Sequence, residues 1–551
     1  MRIPLLVLII AFAVSITGLT LIEGMDENGN PYRMNFFDAF YFVSYMASTI
    51  GFGEAPYTFT YPQRLWVSFC VYLTVIGWFY GIGTIVALIQ DKTLTEELVR
   101  TRFKSMLRRM NGNFILIFGY NNITKEIIEK LNSSKRRIVV IDKDENKINA
   151  LELEGHNPSI AALVGDVTDV NTLKFAAIES PKCRWIVSLF DDETKNVKVA
   201  LMSKILNEKA SMIVRTTSRE YTEYLENIGV KEIENPFKII SKRIYLAHTA
   251  PHIWMLERWV GTGELYKDNG ILDIFPKGRY IVCGSGLMSE AICEGLTNAG
   301  VEHIALKISL KESDEEKNGS NVFGDEKDIE LLEKNSLKEA SAIIAATRDD
   351  FVNLMILRAA KKLNPSIFTI ARENTLDDIS IFEASNIDRN YILEEVLIEK
   401  TYNFIAKPLA NIFIRRIVKE KEEWGEAMIE KLLRLIGNNP KLFELKIDEN
   451  HAFALTNLLK EGKTLRYEVL LRDRANWQKR APLVILLLKR GDEVILQPNP
   501  KREIRTGDEI LVAATFESFN DLEYIVENFY EMHYVLTGRE KRLNLVKLFT
   551  K

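Results

Sequence analysis

The sequence predicts an α-helical membrane domain with two spans, followed by two doubly wound α/β domains and a carboxy-terminal α+β lobe. Two long uncharged runs lie within the first 90 residues, and the remainder has the composition of a soluble protein. A strand–helix–strand pattern that begins at residue 114 returns about 165 residues later. At 551 residues, the chain is long enough for three or four domains of about 150 residues each.

Charge and cysteine content narrow the function classes. The chain has 72 Lys and Arg residues against 76 Asp and Glu residues, and this near balance gives no reason to expect a nucleic-acid partner. The cysteines have no CxxC spacing and lie among apolar neighbours. They are predicted to be buried, reduced thiols without assigned chemistry, namely Cys70, Cys183, Cys283 and Cys293.

The two apolar runs predict two membrane-spanning helices. Residues 3–22 form 20 positions without a charged side chain, which is enough for a helix to cross a hydrocarbon core of about 30 Å. Residues 65–90 form a second uncharged run. A signal peptide is the alternative for the first run, but its apolar region would be shorter and would precede a small-residue cleavage site.

Charged residues near the two runs predict the orientation. Glu23, Asp26 and Glu27 follow the first run. Basic residues follow the second run, namely Lys92, Arg100, Arg102, Lys104, Arg108 and Arg109. The positive-inside rule therefore places both termini in the cytoplasm, with the chain in the plasma or inner membrane as a multi-pass protein.

A short apolar segment between the runs predicts a re-entrant helix. Residues 36–47 are rich in aromatic side chains but too few to cross the bilayer. Irregular backbone after such a helix needs protein or a water-filled pathway around it. Gly51 and Gly53 allow positive φ, so backbone carbonyls can point to a shared axis and replace the water around an ion. One chain supplies one wall, so this arrangement requires a symmetric oligomer.

Residues 48–54, STIGFGE, resemble the selectivity-filter signature of potassium channels, usually written TVGYGD. Phe52 lacks the tyrosine hydroxyl that can brace the filter, and Glu54 keeps a carboxylate at the outer mouth. A short glycine-containing string also arises by chance in loops, but its place between two spans favours the filter. The resemblance implies K+ coordination by Thr49, Ile50, Gly51 and Phe52, with Gly53 completing the filter.

Three glycines in the second run are candidate gating hinges, namely Gly77, Gly81 and Gly83. In the potassium-channel family a glycine of the inner helix serves as the hinge, and the missing Cβ gives a physical reason. Close helix packing through small residues is an equal alternative for each glycine taken singly. No series of regularly spaced arginines precedes the predicted filter, so a voltage sensor is not expected.

The soluble part contains two copies of one pattern. FILIFG at 114–119 leads into a helix and a second strand ending at Asp142, and YIVCG at 280–284 begins the same plan again. Later segments also pair, including ALVGDVTD with NVFGDEKD, RWIVSLFDDETKN with SAIIAATRDDFVN, and SMIVRTTS with SIFTIARE. Apolar strands that alternate with amphipathic helices predict two parallel α/β domains.

These paired features resemble the RCK (regulator of potassium conductance, TrkA-N) family, and the β-rich stretch 443–515 resembles the TrkA-C module. With the filter, the chain resembles prokaryotic two-transmembrane potassium channels with tandem RCK domains. The resemblance implies a homotetramer in the lipid bilayer whose Rossmann-like RCK domains form a cytoplasmic gating ring, pulling on the pore through a helical linker. The expected domains are 1–92 for the pore, 93–111 for the linker, 112–262 and 263–425 for the RCK domains, and 426–551 for the TrkA-C-like lobe.

The first RCK copy is the predicted site for an adenine nucleotide, NAD or ADP. Such a site needs a close backbone turn, a helix amino terminus facing phosphate and an acid at the end of the second strand. Gly119 and Asp142 meet two of these needs, although Asn121 and Thr124 replace glycines of the fingerprint. A purely architectural fold is the alternative. The candidate nucleotide-binding residues are Gly119, Asn121, Asn122, Ile123, Asp142, Lys143, Asp166 and Arg215.

The second copy has Gly284, Gly286 and Ser289 at its turn, closer to the dinucleotide fingerprint. Lys307 stands where the ribose acid is expected, which argues against NAD in its ordinary pose. The charge reversal permits an anionic, phosphate-rich ligand or none.

Two further patterns concern metals. Calcium is a ligand class of the RCK family, and residues 311–328 are rich in carboxylates, but they lack EF-hand spacing and are more typical of a solvated loop. No calcium ligands are therefore assigned. His248 and His252 have the spacing of one helical face, but Pro251 separates them and no zinc site is expected.

The family resemblance implies a ligand-gated, potassium-selective channel in which a nucleotide, calcium or both bias the gate. An oxidoreductase is disfavoured because neither α/β copy is accompanied by a recognisable catalytic domain. A regulatory subunit of a potassium transporter is a further alternative, but such a subunit would lack the spans and the filter. A less selective cation channel also remains open.

Overall fold

A computed structural model describes residues 2–90, 92–265, 275–307, 321–323, 337–374, 382 and 385–540. The chain divides into two compact units, Met1–Arg109 and Met110–Lys551. The acidic run 311–328, apart from 321–323, lies outside the described residues, and so does the side chain of Lys307.

The first unit contains the two predicted spans and the predicted re-entrant helix. Its elements are α1 Arg2–Leu21, β1 Gly24–Met25, β2 Pro31–Tyr32, α2 Phe36–Ala47, α3 Tyr61–Ile89 and α4 Lys92–Arg109. Helices α1 and α3 are long and apolar enough to cross a membrane. Helix α3 begins before the predicted run, at Tyr61, and α4 occupies the segment predicted as a helical linker.

Close contact between α1 and α3 depends on a glycine. A Cβ placed on Gly18 would lie 2.0 Å from Trp66 Cε2, so only glycine lets the indole lie against α1. The indole Nε1 donates to the Ser15 carbonyl at 3.2 Å. Buried Phe42 and Val43 of α2 pack into the same apolar cluster. The short helix is thereby fixed against α1 and α3.

The second unit begins with a six-stranded parallel sheet of order β5-β4-β3-β6-β7-β8. Its strands are nearly continuous apolar runs, as expected when helices cover both faces. The elements are β3 Phe114–Phe118, α5 Asn122–Ser133, β4 Arg137–Asp142, α6 Glu145–Leu153, β5 Ala161–Val164, α7 Val170–Phe175, β6 Cys183–Ser188, α8 Glu193–Leu206, β7 Ser211–Arg215, α9 Arg219–Asn227 and β8 Glu232–Glu234.

A second six-stranded parallel sheet, β11-β10-β9-β12-β13-β14, has the same strand order, which confirms the two doubly wound copies. Helices α10 Pro236–Thr249 and α11 Pro251–Thr262 come between the sheets, so His248 and His252 lie on different helices. The elements of the second copy are β9 Tyr280–Cys283, α12 Leu287–Asn298, β10 His303–Lys307, β11 Asn321–Phe323, β12 Ala342–Ala345, α13 Asp350–Leu363, β13 Phe368–Glu373 and β14 Arg389–Ile392.

The remaining chain forms helices and an antiparallel sheet of order β15-β18-β16-β17. Its elements are α14 Leu393–Ala406, α15 Pro408–Ile417, α16 Glu422–Leu435, β15 Lys441–Lys446, α17 Phe453–Lys460, β16 Leu483–Arg490, β17 Glu493–Leu496, β18 Glu509–Ala514, α18 Phe516–Glu527 and α19 Phe529–Thr537. Helix α16 runs across residue 425, where a domain boundary is predicted.

Helix α14 follows the second copy but completes the core of the first. Leu397, Ile398 and Ile405 belong to the apolar cluster that contains α5 and β3. The Phe404 ring packs edge-on against Trp185, with ring centroids 4.9 Å apart. The two copies are therefore physically joined through this helix.

A fully buried carboxylate, Asp508, lies immediately before strand β18 of the carboxy-terminal sheet. It accepts hydrogen bonds from Arg490 Nε at 2.7 Å and Nη2 at 2.8 Å. The Tyr467 hydroxyl donates at 2.6 Å and the Arg505 amide at 2.8 Å. Burial works to raise the pKa of Asp508, but these donors outweigh it and hold the pKa below its usual value.

Replacing Asp508 should destabilise this lobe. We expect Asp508→Asn to reduce the free energy of unfolding by about 1–3 kcal/mol, because Arg490 and Tyr467 lose their charged acceptor while the Arg490 side chain, 17% exposed, keeps partial access to water. Urea and thermal unfolding at neutral pH would measure the change, and the exposed Asp492→Asn is the matched control.

The same pair predicts a pH dependence. Because the native pKa of Asp508 is lowered, its stabilisation is present above the unfolded-state value of about 3.9 and is lost as pH falls through the native pKa. The stability difference between wild type and Asp508→Asn should therefore shrink below about pH 4. A difference that stayed constant with pH would contradict this account.

Candidate functional sites

The loop after α2 is braced by two tyrosines of that helix. The Tyr45 carbonyl accepts from the amides of Ile50 at 3.1 Å and Gly51 at 3.3 Å. The Tyr45 hydroxyl donates to the Glu54 carbonyl at 2.5 Å, and the Tyr41 hydroxyl donates to Glu54 Oε2 at 3.0 Å. Sequence reasoning missed both tyrosines, although their spacing of one helical turn is visible in the sequence.

Positive φ recurs at every second residue of this loop. The values are 64° at Thr49, 65° at Gly51 and 76° at Gly53. Glycine adopts such values without steric penalty, whereas Thr49 does so at roughly 1–2 kcal/mol. The side chains between them, Ile50 and Phe52, are 62% and 68% exposed. Alternation of this kind is the backbone property needed to turn carbonyls toward one side.

The three candidate hinge glycines lie in one continuous helix, α3. A Cβ on Gly77 would lie 3.7 Å from Ala11 Cβ, and one on Gly81 would lie 3.7 Å from Leu8 Cδ1. A Cβ on Gly83 would meet no described atom within 4 Å. These are ordinary van der Waals distances, so packing within the first unit requires glycine at none of the three positions.

Alanine at these positions should therefore preserve folding. We expect Gly77→Ala, Gly81→Ala and Gly83→Ala to purify with wild-type yield and size-exclusion profile, because the added methyl group fits. Gly18→Ala should reduce the yield of folded protein, since its Cβ would overlap Trp66. If the three α3 variants were as unstable as Gly18→Ala, the packing explanation would be restored.

The turn of the first α/β copy is built around Gly119, which has φ 84°. Its amide donates to the Ile141 carbonyl at 2.8 Å. Asn121 and Thr124 form a reciprocal capping box at the start of α5. In the described chain, the amides of Asn122 and Ile123 have no hydrogen-bond partner. Two free amides at a helix amino terminus are suited to an anion.

Asp142 is buried at the end of β4, 7% exposed. Its Oδ2 accepts from the Tyr120 amide at 2.7 Å, and its Oδ1 accepts from the Asp144 amide at 2.8 Å. Each carboxylate oxygen has a further lone pair. Asp142 therefore holds the turn in place and can still accept hydroxyl groups. The neighbouring Lys143 is exposed.

Asp166 and Arg215 already have protein partners. Asp166 Oδ1 accepts from the Thr168 amide at 2.8 Å and its hydroxyl at 2.7 Å, which lowers the pKa of Asp166. Arg215 Nη1 lies 2.5 Å from Asp191 Oδ1. Arg215 would have to leave or share this ion pair to bind a phosphate.

A cavity of about 520 Å³ opens at the start of α5. Its walls include Asn121, Asn122 and Ile123, together with Asp191. Asp142 and Asp166 do not line it. The structure thus gathers Tyr120 of the turn and the amino terminus of α5 around one space, and Asp142 is connected to it through the Tyr120 amide.

The turn of the second copy is more open at the helix cap. Gly284 has φ 141°, and a Cβ there would lie 2.9 Å from the Ala346 carbonyl oxygen. Gly286 caps α12 without a side-chain hydrogen bond. The Ser289 hydroxyl donates back to the Gly286 carbonyl at 2.8 Å.

In each copy a buried asparagine holds the backbone at the carboxyl ends of two neighbouring strands. Sequence reasoning missed this residue. Asn196 Oδ1 accepts from the Phe190 amide at 3.0 Å, while its Nδ2 donates to the carbonyls of Phe190 at 2.8 Å and Arg215 at 3.0 Å. Asn353 makes the corresponding bonds to Thr347 and Arg372. Aligning DDETKN at 191–196 with RDDFVN at 348–353 would have shown the shared asparagine.

Metal sites find no support in this geometry. Among the residues that the structure describes, no group of three or more His, Cys, Asp or Glu side chains is arranged to hold a metal ion. His252 instead lies 2.5 Å from Glu422 through its Nδ1.

Both α/β copies match the TrkA-N domain, over residues 115–236 and 280–392. A region of 235 residues is 26% identical to Potassium channel protein 1 of Methanocaldococcus jannaschii, covering 42% of this chain and 66% of that protein. The matched region covers less than two thirds of the length of that relative. It covers 37% of the length of another relative, from Methanothermus fervidus.

Solved structures of a protein named GsuK share the fold. The GsuK channel bound to NAD aligns with a TM-score of 0.50 at 16% identity, covering 95% of this chain and 97% of that chain. GsuK bound to ADP aligns with a TM-score of 0.50 at 19% identity, covering 74% of this chain and 98% of that chain. At these identities the similarity establishes the fold alone.

Proposed function

We propose that this chain, which carries two TrkA-N domains, is the subunit of a homotetrameric, potassium-selective channel gated by a nucleotide. The observation that carries the proposal is the alternation of positive φ at Thr49, Gly51 and Gly53, in a loop between two apolar helices. A carbonyl-lined filter needs this backbone, and it needs four walls from four chains. The names of relatives as potassium channel proteins support it.

The membrane placement follows from the same unit. Helices α1 and α3 cross the plasma or inner membrane, and α2 enters it without crossing. Both termini and the TrkA-N domains lie in the cytoplasm, where they form the gating ring. Helix α4 connects the ring to the pore-lining helix α3.

The gating ligand is NAD or ADP bound at the first TrkA-N copy. Gly119 allows close approach, the free amides of Asn122 and Ile123 face the phosphates, and Asp142 accepts ribose hydroxyls. A nucleotide changes the gate only by binding one ring state more tightly than the other. The domain acts as a sensor and not as an enzyme.

Potassium flux tests this function directly. Purified protein in liposomes should conduct K+ in preference to Na+, and NAD or ADP should change the rate. Equal K+ and Na+ flux would favour the less selective cation channel. No flux from folded tetramers would favour a regulatory subunit instead.

The filter assignment predicts a site-specific loss of selectivity. Gly51→Ala should abolish K+-selective flux, because alanine resists φ 65° and displaces the carbonyls. Gly29→Ala is the matched control, since Gly29 has φ 80° and, like Gly51, no described atom within 4 Å of an added Cβ. Each variant carries a similar backbone strain of about 1 kcal/mol. Equal effects of the two on flux would refute the filter.

The nucleotide assignment predicts a loss of affinity in Asp142→Asn. The amide oxygen can accept the Tyr120 N–H, but the amide nitrogen then faces the Asp144 N–H, and the side chain presents fewer acceptors to ribose. NAD and ADP should therefore bind at least about tenfold more weakly, or about 1.4 kcal/mol. Calorimetry on the full-length protein measures the affinity, and thermal unfolding checks that the variant is folded. Unchanged affinity in folded protein would remove Asp142 from the site.

A further inference from the structure

An aromatic ring and a lysine cover the glycine turn of the first TrkA-N copy. A Cβ on Gly119 would lie 2.4 Å from Phe190 Cε1, so the ring lies directly on the turn. Lys195 Nζ lies 3.7 Å from the centroid of the same ring. The backbone of Phe190 is fixed on both sides by Asn196, so the ring cannot drift with its loop.

The Lys195 ammonium belongs electrostatically to the candidate nucleotide site. Burial lowers the pKa of Lys195, while the carboxylates of Asp142 and then Asp166 act in the opposite direction. In the part of the chain that the structure describes, Lys195 makes no ion pair with either acid. Its charge lies over the Phe190 ring that covers Gly119, within the field of both acids, although the described lining of the cavity at the start of α5 includes neither Phe190 nor Lys195.

The second copy shows that the fold does not need this pair. Its buried Asn353 makes the same backbone bonds as Asn196, yet Thr347 stands in the place of Phe190 and Val352 in the place of Lys195. Val352 is 6% exposed and simply packs into the apolar core of its copy. The stacked ring and lysine are therefore specific to the first copy, whereas the second copy has Arg348 near its turn, with Nε 3.8 Å from a Cβ placed on Gly286.

We propose that Lys195 is a specificity-determining residue that makes the first copy favour nucleotides with a terminal phosphate, such as ADP, over dinucleotides such as NAD. This inference rests on the proposed nucleotide function of the same site. The terminal phosphate of ADP carries a second negative charge near neutral pH. Each phosphate of NAD is bridged on both sides and carries a single charge. A fixed cation beside the turn therefore gains more from ADP.

The test compares ADP and NAD binding to full-length wild type and Lys195→Met by calorimetry. Methionine keeps the length and the contact with the Phe190 ring. We expect ADP affinity to fall about tenfold and NAD affinity by less than about threefold. Lys195→Arg should restore ADP binding to within about threefold of wild type.

Two further measurements distinguish an electrostatic role of Lys195 in phosphate binding from a purely structural role. Lys174→Met, on α7, removes an equal charge from an exposed pair with Glu179, and should leave both affinities unchanged. The salt dependence of ADP binding should weaken in Lys195→Met.

The outcomes are distinguishable. Unchanged affinities in folded Lys195→Met, or equal losses for ADP and NAD, would overturn the inference while the nucleotide site stands. If folded wild type bound neither nucleotide, the proposed ligand and this inference would both fail.

Discussion

One buried amide in each α/β copy holds the edge at which a ligand would bind. Carbonyls and amides at the ends of parallel strands have no ladder partner, and leaving them buried without one costs free energy. Asn196 and Asn353 satisfy them with one side chain each, joining the end of one strand to the end of the next. These hydrogen bonds from Asn196 fix the backbone positions of Phe190 and Arg215.

In the first unit, backbone groups outside regular secondary structure also need hydrogen-bond partners, and tyrosine provides them in place of asparagine. Backbone that leaves a helix at membrane depth must find partners within the protein. Tyr45 supplies them to the loop proposed as a filter, with its carbonyl at the start and its hydroxyl at Glu54. In both units, therefore, residues outside the recognisable motif position the backbone that the motif provides.

The two α/β copies have the same strand order but different surfaces at the turn. In the first copy, Asn121 caps helix α5 and Asp142 is buried beside the turn. The Phe190 ring, with Lys195 over it, covers Gly119. The second has a helix without a side-chain cap, and Arg348 lies near its turn in place of a ring and lysine. Helix α14 joins them by completing the core of the first copy after the second has ended.

The sequence by itself determined the elements whose signals are local. Charge-free length predicts α1 and α3, aromatic density predicts α2 with its observed bounds, and the repeat predicts both parallel sheets, because these patterns depend on neighbours along the chain. The positive φ of Gly51 and Gly53, and the position of Asp142 at the end of β4, agree with the sequence for the same reason. Contacts between distant segments were decided only by the tertiary structure. These include Glu54 with Tyr41, Arg215 with Asp191, Phe190 on Gly119 and α14 on the first copy. Each contact joins segments whose distance along the chain does not predict their distance in space. No periodicity in the sequence indicates such a contact.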